Sequence, residues 1–269
     1  MRNWLGLPLE ASAHAGDIDK MTTWVHILMF IMFIGWSAFF LYMLVRFRRR
    51  RHPQAQYEGL RTHATRWVEW GVVVAELVLL FGYSIPLWSQ RVDKFPPEDQ
   101  ALEVQVTGEQ FAWNIHYAGN DGIFGRTKPE LVDVSTNPLG LDPKDPAAKD
   151  DVTTVNQLHL PAGRPVIVRL RSKDVIHSFM LNEFRVKQDA IPGLSIPLWF
   201  VPTLTTAGVR EQTGNDKYDF EIACAQLCGI GHSKMRGFVT VHPAAEFDSW
   251  LAQESTSAAA SGGGDEFWQ

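Results

Sequence analysis

Cysteine is nearly missing from these 269 residues, with only Cys224 and Cys228 present. So few exclude a disulfide framework, and neither sits in a C-x-x-C-H motif, which excludes covalent haem attachment. A basic surplus is also missing. The formal net charge of -5 lacks the positive footprint that a phosphate backbone requires, so nucleic acid is not an expected partner. No internal repeat is present. Charge itself is missing from residues 24 to 45 (WVHILMFIMFIGWSAFFLYMLV), which hold no Asp, Glu, Lys or Arg over 22 positions. That run is long enough to cross a hydrocarbon core of about 30 Å. A purely soluble protein is therefore excluded, although the mean hydropathy of -0.11 would suit one.

The charge that remains is divided along the chain. Residues 1 to 88 carry a net +3 and residues 89 to 269 a net -8. An acidic globular part suits a basic protein partner.

A second apolar run extends from Val68 to Trp88, with Glu69 near its start and Glu76 inside it. Between the runs, RFRRRRHPQAQYEGLRTHATR carries Arg46, Arg48, Arg49, Arg50, Arg51, Arg61 and Arg66 against the single acid Glu58. By the positive-inside rule this loop is cytoplasmic and both chain ends lie on the opposite side. The first run is expected to be a retained span, because its arginines follow it and no basic segment leads into it as in a signal peptide. Trp24, Trp67, Trp70 and Trp88 fall near the expected ends of the spans, where indole rings favour the membrane interface. The expected order is an extracytoplasmic segment over 1–23, a transmembrane helix over 24–45, a basic cytoplasmic loop over 46–66 and a second transmembrane helix over 67–90.

From about Ala101 the pattern changes to short alternating stretches. Leu102, Val104 and Val106 alternate with polar residues, as do Phe111, Trp113, Ile115 and Tyr117; VIVRLR at 166–171, YDFEIA at 218–223 and FVTVH at 238–242 follow. Period-two segments between Gly, Pro and Asp turns predict an antiparallel sandwich or barrel. Residues 119 to 151, rich in Gly, Pro and Asp, read as an excursion from the sheet. A short helix is expected at 244–253, and the tail over 255–269, with its STSAAASGGG stretch, is expected to be disordered. The globular domain thus spans about 91–254.

The most informative stretch is C-A-Q-L-C-G-I-G-H-S-K-M at 224–235. It sets two thiols, an imidazole and a thioether at spacings of four, four and three, and its glycines let the loop fold round one point. His177, in D-V-I-H-S-F, is a further donor that would enter from a different strand. Sulfur and imidazole together select copper or zinc over magnesium or calcium. A single-copper electron-transfer site leaves the second cysteine over. A Cys2His2 zinc site leaves Met235 without a role and departs from the commoner two-residue cysteine spacing. Two thiolates bridging two coppers use every donor, with Met235 and a main-chain carbonyl, that of Gln226, as weak axial ligands. A plain disulfide is the remaining alternative in an oxidising compartment.

D-V-I-H-S-F at 174–179, K-Q-D-A-I-P-G at 187–193 and the cysteine loop, behind two apolar helices and an aromatic strand, resemble subunit II of the haem-copper cytochrome c oxidases over about residues 20 to 250. The resemblance implies a membrane-anchored all-β protein, an N-terminal two-helix transmembrane hairpin followed by a cupredoxin-like Greek-key β-barrel. That barrel would carry a dinuclear CuA centre on the outer face of a bacterial inner membrane. His177, Cys224, Cys228, His232 and Met235 would be side-chain ligands, with the carbonyl of Gln226. Electrons from a cytochrome c or another one-electron carrier would pass through the coppers to haem in subunit I, where oxygen is reduced to water with coupled proton pumping. No haem-ligand framework is present here, so the oxygen chemistry belongs to another chain. Subunit III is a further implied partner. The stretches QDAIPGLSIPLWF and EQFAWN resemble bacterial oxidases that form a supercomplex with alternative complex III.

Three positions bear on finer roles. Family members usually have Glu where this chain has Gln226; Gln keeps the carbonyl but lacks the carboxylate that helps hold a magnesium ion at the subunit I interface. The family's first aromatic of the strand, taken as the point where electrons enter, is Phe111 here, and Trp113 holds the second position; a core aromatic on a buried strand face is the alternative for Trp113. Glu69 resembles the family acid at the mouth of a proton-uptake channel, against the plain alternative of a solvated acid. Glu76, one heptad on, should face protein or be protonated at its depth. Two other classes share part of this pattern. A quinol-oxidase subunit II keeps the fold without the copper ligands, and a membrane-anchored copper-binding or assembly protein would use the C-x3-C and His without the D-V-I-H-S-F strand.

Overall fold

The computed structural model describes residues 4–54, 57 and 63–260. The chain forms two compact units, one holding Asp17–Asp93 and the other Gly6–Gly16 together with Lys94 onward.

The first unit is helical. α1 (Ala15–Arg46) has 32 residues, and a second helical run covers His63–Val92, 30 residues. At about 1.5 Å per residue each exceeds the thickness of a hydrocarbon core. Both extend beyond the expected 24–45 and 67–90, because the charge-free run marks only the part fit for hydrocarbon, whereas backbone hydrogen bonding continues into the polar flanks. The second run is α2 (His63–Leu79), a π turn at Leu80–Ser84 and α3 (Ile85–Val92). Pro86 explains the turn. It has no N–H to return to the preceding turn, and the Ile85 N–H reaches back five residues to the Leu80 carbonyl. Phe33, Phe40, Val78 and Phe81 are all exposed on these helices. Such a continuous apolar surface suits lipid as its solvent. The basic loop is described only in part: Arg48 to Arg51 are exposed, and Glu58 and Arg61 lie outside the described residues.

The other unit is a two-sheet sandwich. Its strands are β1 (Leu102–Glu109), β2 (Ala112–Tyr117), β3 (Val152–Val155), β4 (Gln157–Pro161), β5 (Val166–Ser172), β6 (His177–Leu181), β7 (Val186–Ala190) and β8 (Ile196–Phe200). After helix α4 (Thr206–Thr213) come β9 (Phe220–Cys224), β10 (Arg236–His242) and the terminal helix α5 (Ala244–Ala260). One sheet runs β3-β2-β1-β5-β8 and the other β4-β10-β9-β6-β7. This is the cupredoxin-like architecture that the resemblance implies. Alternation drives it: Val104 and Val106 on β1, Trp113, Ile115 and Tyr117 on β2, and Phe220 and Ile222 on β9 all turn fully inward.

Two features depart from an antiparallel sandwich. β1 pairs with β5 in parallel, from Leu102↔Val166 to Gly108↔Ser172, and β10 pairs with β4 in parallel. Alternation reports which face a residue turns and says nothing of strand direction, so the pattern could not show this. Strands β3, β4, β6, β7 and β8 have four or five residues each, and β8 carries Pro197 while β7 carries Lys187 and Asp189. Their alternation is too short or too mixed to stand out.

The excursion between β2 and β3 is held at its base by buried Asp151, which accepts from His116 Nε2 at 2.6 Å and from the amide of Gly125 at 2.8 Å. The terminal helix does not stop at 253. It continues to Ala260, so a disordered tail from 255 is corrected over its first six residues. Ser255 is the physical reason: its hydroxyl is buried, donates to the Asp150 carbonyl at 2.8 Å and accepts from the Asn120 amide at 3.1 Å. Residues 261–269 lie outside the described residues. The N-terminal segment also belongs to the sandwich. Ala11 N donates to Glu183 O and Thr203 N to Ala11 O, both at 2.9 Å, and Ser12 Oγ donates to Phe184 O at 2.7 Å.

Candidate metal centre

The sheet carrying β6, β9 and β10 assembles the site by register. Phe179 pairs with Cys224 and Arg236 with Ala223, so the start of β6 meets the end of β9, and the cysteine loop leads from there into β10 alongside β9. His177 thereby reaches Cys224 across 47 positions of sequence. The loop from 225 to 235 sets Cys228 beside Cys224 and then closes through a 3-10 turn at His232–Lys234.

The two sulfurs lie 3.8 Å apart, as free thiols. Each has an imidazole: His177 Nδ1 is 3.9 Å from Cys224 Sγ, and His232 Nδ1 is 3.5 Å from Cys228 Sγ. Each also has a weaker donor: the Gln226 carbonyl is 3.2 Å from Cys224 Sγ, and Met235 Sδ is 3.7 Å from Cys228 Sγ. His177, Cys228 and Met235 are buried, while Cys224 and His232 are half-buried. Among the described residues, His177, Cys224 and Cys228 are the cluster whose donor atoms lie close enough to hold one metal ion. Burial pushes the Cys228 thiol up to about 11, aided by its hydrogen bond with Cys224 and the charge of that neighbour. Two thiolates this close repel unless a cation lies between them, which is the electrostatic demand of a metal site.

All six donors expected from the sequence come together. The supporting residues are less visible in it. Asp174 Oδ1 accepts from His177 Nε2 at 2.8 Å, which turns Nδ1 toward the sulfurs. Its burial would raise the carboxyl, but hydrogen bonds from His177, Val175 and Gln110 hold it below the usual range. The signal for Asp174 was present, because D-V-I-H puts a carboxylate three residues before the imidazole. For Gly108 there was none: a Cβ there would lie 2.9 Å from His177 Cδ2 and 3.2 Å from Trp113, so glycine lets both rings lie on the strand.

Trp113 is fully buried, its ring edge-on to His177 with centroids 6.0 Å apart. It is a core residue and a neighbour of the site at once. Phe111 is half-buried, and its ring covers Gly231 so closely that any side chain there would collide with it. Glu69 and Glu76 are exposed on α2, in the helical unit.

A family model described as cytochrome c oxidase subunit II, periplasmic domain, matches residues 102–241. The alternative cytochrome c oxidase subunit 2 of Bradyrhizobium diazoefficiens is 33% identical over 261 residues, taking in 96% of this chain and 87% of that protein. The cytochrome c oxidase subunit 2 of Thermostichus vulcanus is 26% identical over 286 residues, with 96% and 82% covered. Among solved structures, the periplasmic domain of subunit II of cytochrome oxidase (CoxB) of Bradyrhizobium japonicum is similar over 62% of this chain and 100% of that one, at 26% identity and a TM-score of 0.40.

Proposed function

The chain belongs to the cytochrome c oxidase subunit II family and so to a haem-copper oxidase, an oxidoreductase complex; from that premise we propose that it is the complex's electron-input subunit, receiving electrons at a dinuclear copper centre. One observation carries the proposal: two thiols 3.8 Å apart, each with its own imidazole and its own weak donor. A lone copper would use one thiol and a tetrahedral zinc four donors, and either leaves part of this set idle. A copper pair held by Cys224 and Cys228 would supply one-electron transfer without substrate chemistry.

The residues divide the work. Cys224 and Cys228 would hold the metal as thiolates, with His177 and His232 offering Nδ1 beside them. Asp174 keeps the His177 proton on Nε2, and Met235 and the Gln226 carbonyl would serve as weaker donors. Gln226 offers an amide where the family has a carboxylate that helps hold magnesium, so a magnesium site at the subunit I interface would lack that anionic oxygen here. Phe111, over the loop, is the proposed point where electrons enter, with Trp113 behind it against His177. The donor is a cytochrome c or another basic one-electron carrier, suited to the acidic domain. The acceptor is haem in subunit I, where oxygen is reduced to water with proton pumping, and Glu69 is the proposed acid at the mouth of the proton-uptake path. Subunit III and an alternative complex III supercomplex complete the proposed setting.

Two helices long and apolar enough to cross a membrane support an anchor, proposed to lie in the bacterial inner membrane with both termini and the sandwich on its outer side. The intact donor set favours this function over a quinol-oxidase subunit II, and the family match over residues 102–241 favours it over a copper carrier. The test is copper loading of the whole chain in detergent, because residues 6 to 16 and α5 are part of the sandwich. Two coppers per chain and an electron paramagnetic resonance signal of one electron shared by both are expected. One metal per chain, or a single-copper signal, refutes the proposal.

A further inference from the structure

The cysteine loop holds itself together only in part. Ala225 N donates to Ser178 O, and the amides of His232, Lys234 and Met235 close the 3-10 turn. The Cys228 carbonyl is instead reached from far away: Gln110 Nε2, 118 positions earlier in the turn between β1 and β2, donates to it. The backbone N–H of the same Gln110 donates to Asp174 Oδ2 at 2.8 Å, and Asp174 holds His177 through its other oxygen. One residue thus joins the segment that supplies an imidazole to the loop that supplies a thiol. The loop is shaped to admit it. Gly229, with φ at +135°, leaves open the place where a Cβ would stand 2.7 Å from Gln110 Nε2, and the neighbouring Phe111 ring lies on Gly231.

We propose that Gln110 is a positioning residue of the metal centre, tying the Cys228 carbonyl to the carboxylate that orients His177 and so fixing where the second thiol sits relative to the first imidazole. This rests on the copper function proposed above. Gln110 touches no donor atom directly. Its effect is to hold the loop in the bound geometry before metal arrives, which slows metal loss.

The test uses the full chain in detergent. Gln110→Met keeps the length of the side chain and removes the donor; Gln110→Glu replaces the donor with an acceptor facing a carbonyl. Three quantities are read: copper release to an excess of chelator, the electron paramagnetic resonance pattern, and hydrogen exchange at residues 229–232 in the metal-free protein. Release about tenfold faster, a changed hyperfine pattern and faster exchange are expected in both variants, with metal-free melting close to that of the parent. Parental release, spectrum and exchange in either folded variant overturn the proposal. So does a fall in metal-free melting that accounts for the copper loss, which would make Gln110 a residue of the general fold. If the parent itself takes up no copper pair, the copper function fails, and the exchange measurement still decides the clamp.

Discussion

Asp174 and His177 stand three residues apart and meet at 2.8 Å, Oδ1 to Nε2, while the opposite nitrogen of the same ring lies 3.9 Å from Cys224 Sγ. A carboxylate can only accept, so the ring proton is on Nε2 and Nδ1 presents its lone pair to the sulfurs. Asp174→Leu removes that constraint. Copper affinity is expected to fall by roughly 10- to 100-fold, measured by competition with a chelator, and Asp174→Asn, which still offers an acceptor, should lose less. Equal affinity in all three proteins would show that the ring is oriented by packing alone.

Cys228 and Met235 are expected to separate bridging from tuning. Cys228→Ser takes away a bridging sulfur, and copper analysis should drop from two ions per chain to one or none. Met235→Leu keeps the buried volume and loses only a weak axial donor. Two coppers should remain, with a shifted reduction potential in electrochemical titration. A Met235→Leu chain that loses its copper altogether would make the thioether a principal ligand.

Copper removal should lower the melting temperature of the sandwich. A ligand that binds only the folded state adds about 4 kcal/mol at a thousand times its dissociation constant, which for a domain of this size corresponds to a shift on the order of 10 °C. Calorimetry of loaded and stripped protein checks this. No shift would mean that the metal also binds the unfolded chain through its cysteines.

His159 and His242 set a pH dependence away from the metal. Their rings meet at 2.9 Å, Nδ1 to Nε2, and His159 stacks on Trp250 with centroids 4.1 Å apart. Burial, with the charge of His242 as a second cause, pushes His159 down from 6.5 to about 4; burial likewise holds His242 low. A depressed histidine is neutral when folded, so above pH 6.5 both states are neutral and stability is at its full value. As pH falls from 6.5 toward 4 the unfolded chain takes up the proton first, and up to about 3 kcal/mol is lost. Denaturant unfolding of the metal-free protein should therefore weaken over that window, and His159→Phe, which keeps an aromatic ring and cannot titrate, should flatten the slope. An unchanged slope would assign the acid sensitivity elsewhere.

Ser255→Ala tests the extended terminal helix. It leaves the Asn120 amide and the Asp150 carbonyl without their shared hydroxyl, at a cost of about 1 to 3 kcal/mol in unfolding measurements. A neutral substitution would mean that the other contacts of α5, those of Phe247, Trp250 and Asp248, hold it without Ser255.

What the sequence determined by itself was local. A charge-free run of 22 residues gives a helix long and apolar enough to cross a membrane, an arginine cluster after it carries the proposed sidedness, and sulfur and imidazole at spacings of four, four and three point to a soft-metal loop. Each of these is a property of neighbours along the chain, and so was the carboxylate of D-V-I-H. The tertiary structure decided what depends on residues that meet only after folding. It set β1 parallel to β5, because strand direction follows from the path of the connections and not from alternation. It put residues 6 to 16 on the sandwich and extended α5 through the bonds of Ser255 to a loop more than a hundred positions away. It also assigned Gln110 to the cysteine loop across 118 positions. A hydrogen-bond partner at that separation leaves no periodicity and no spacing in the sequence; only the closed sandwich brings the donor and the carbonyl to the same place.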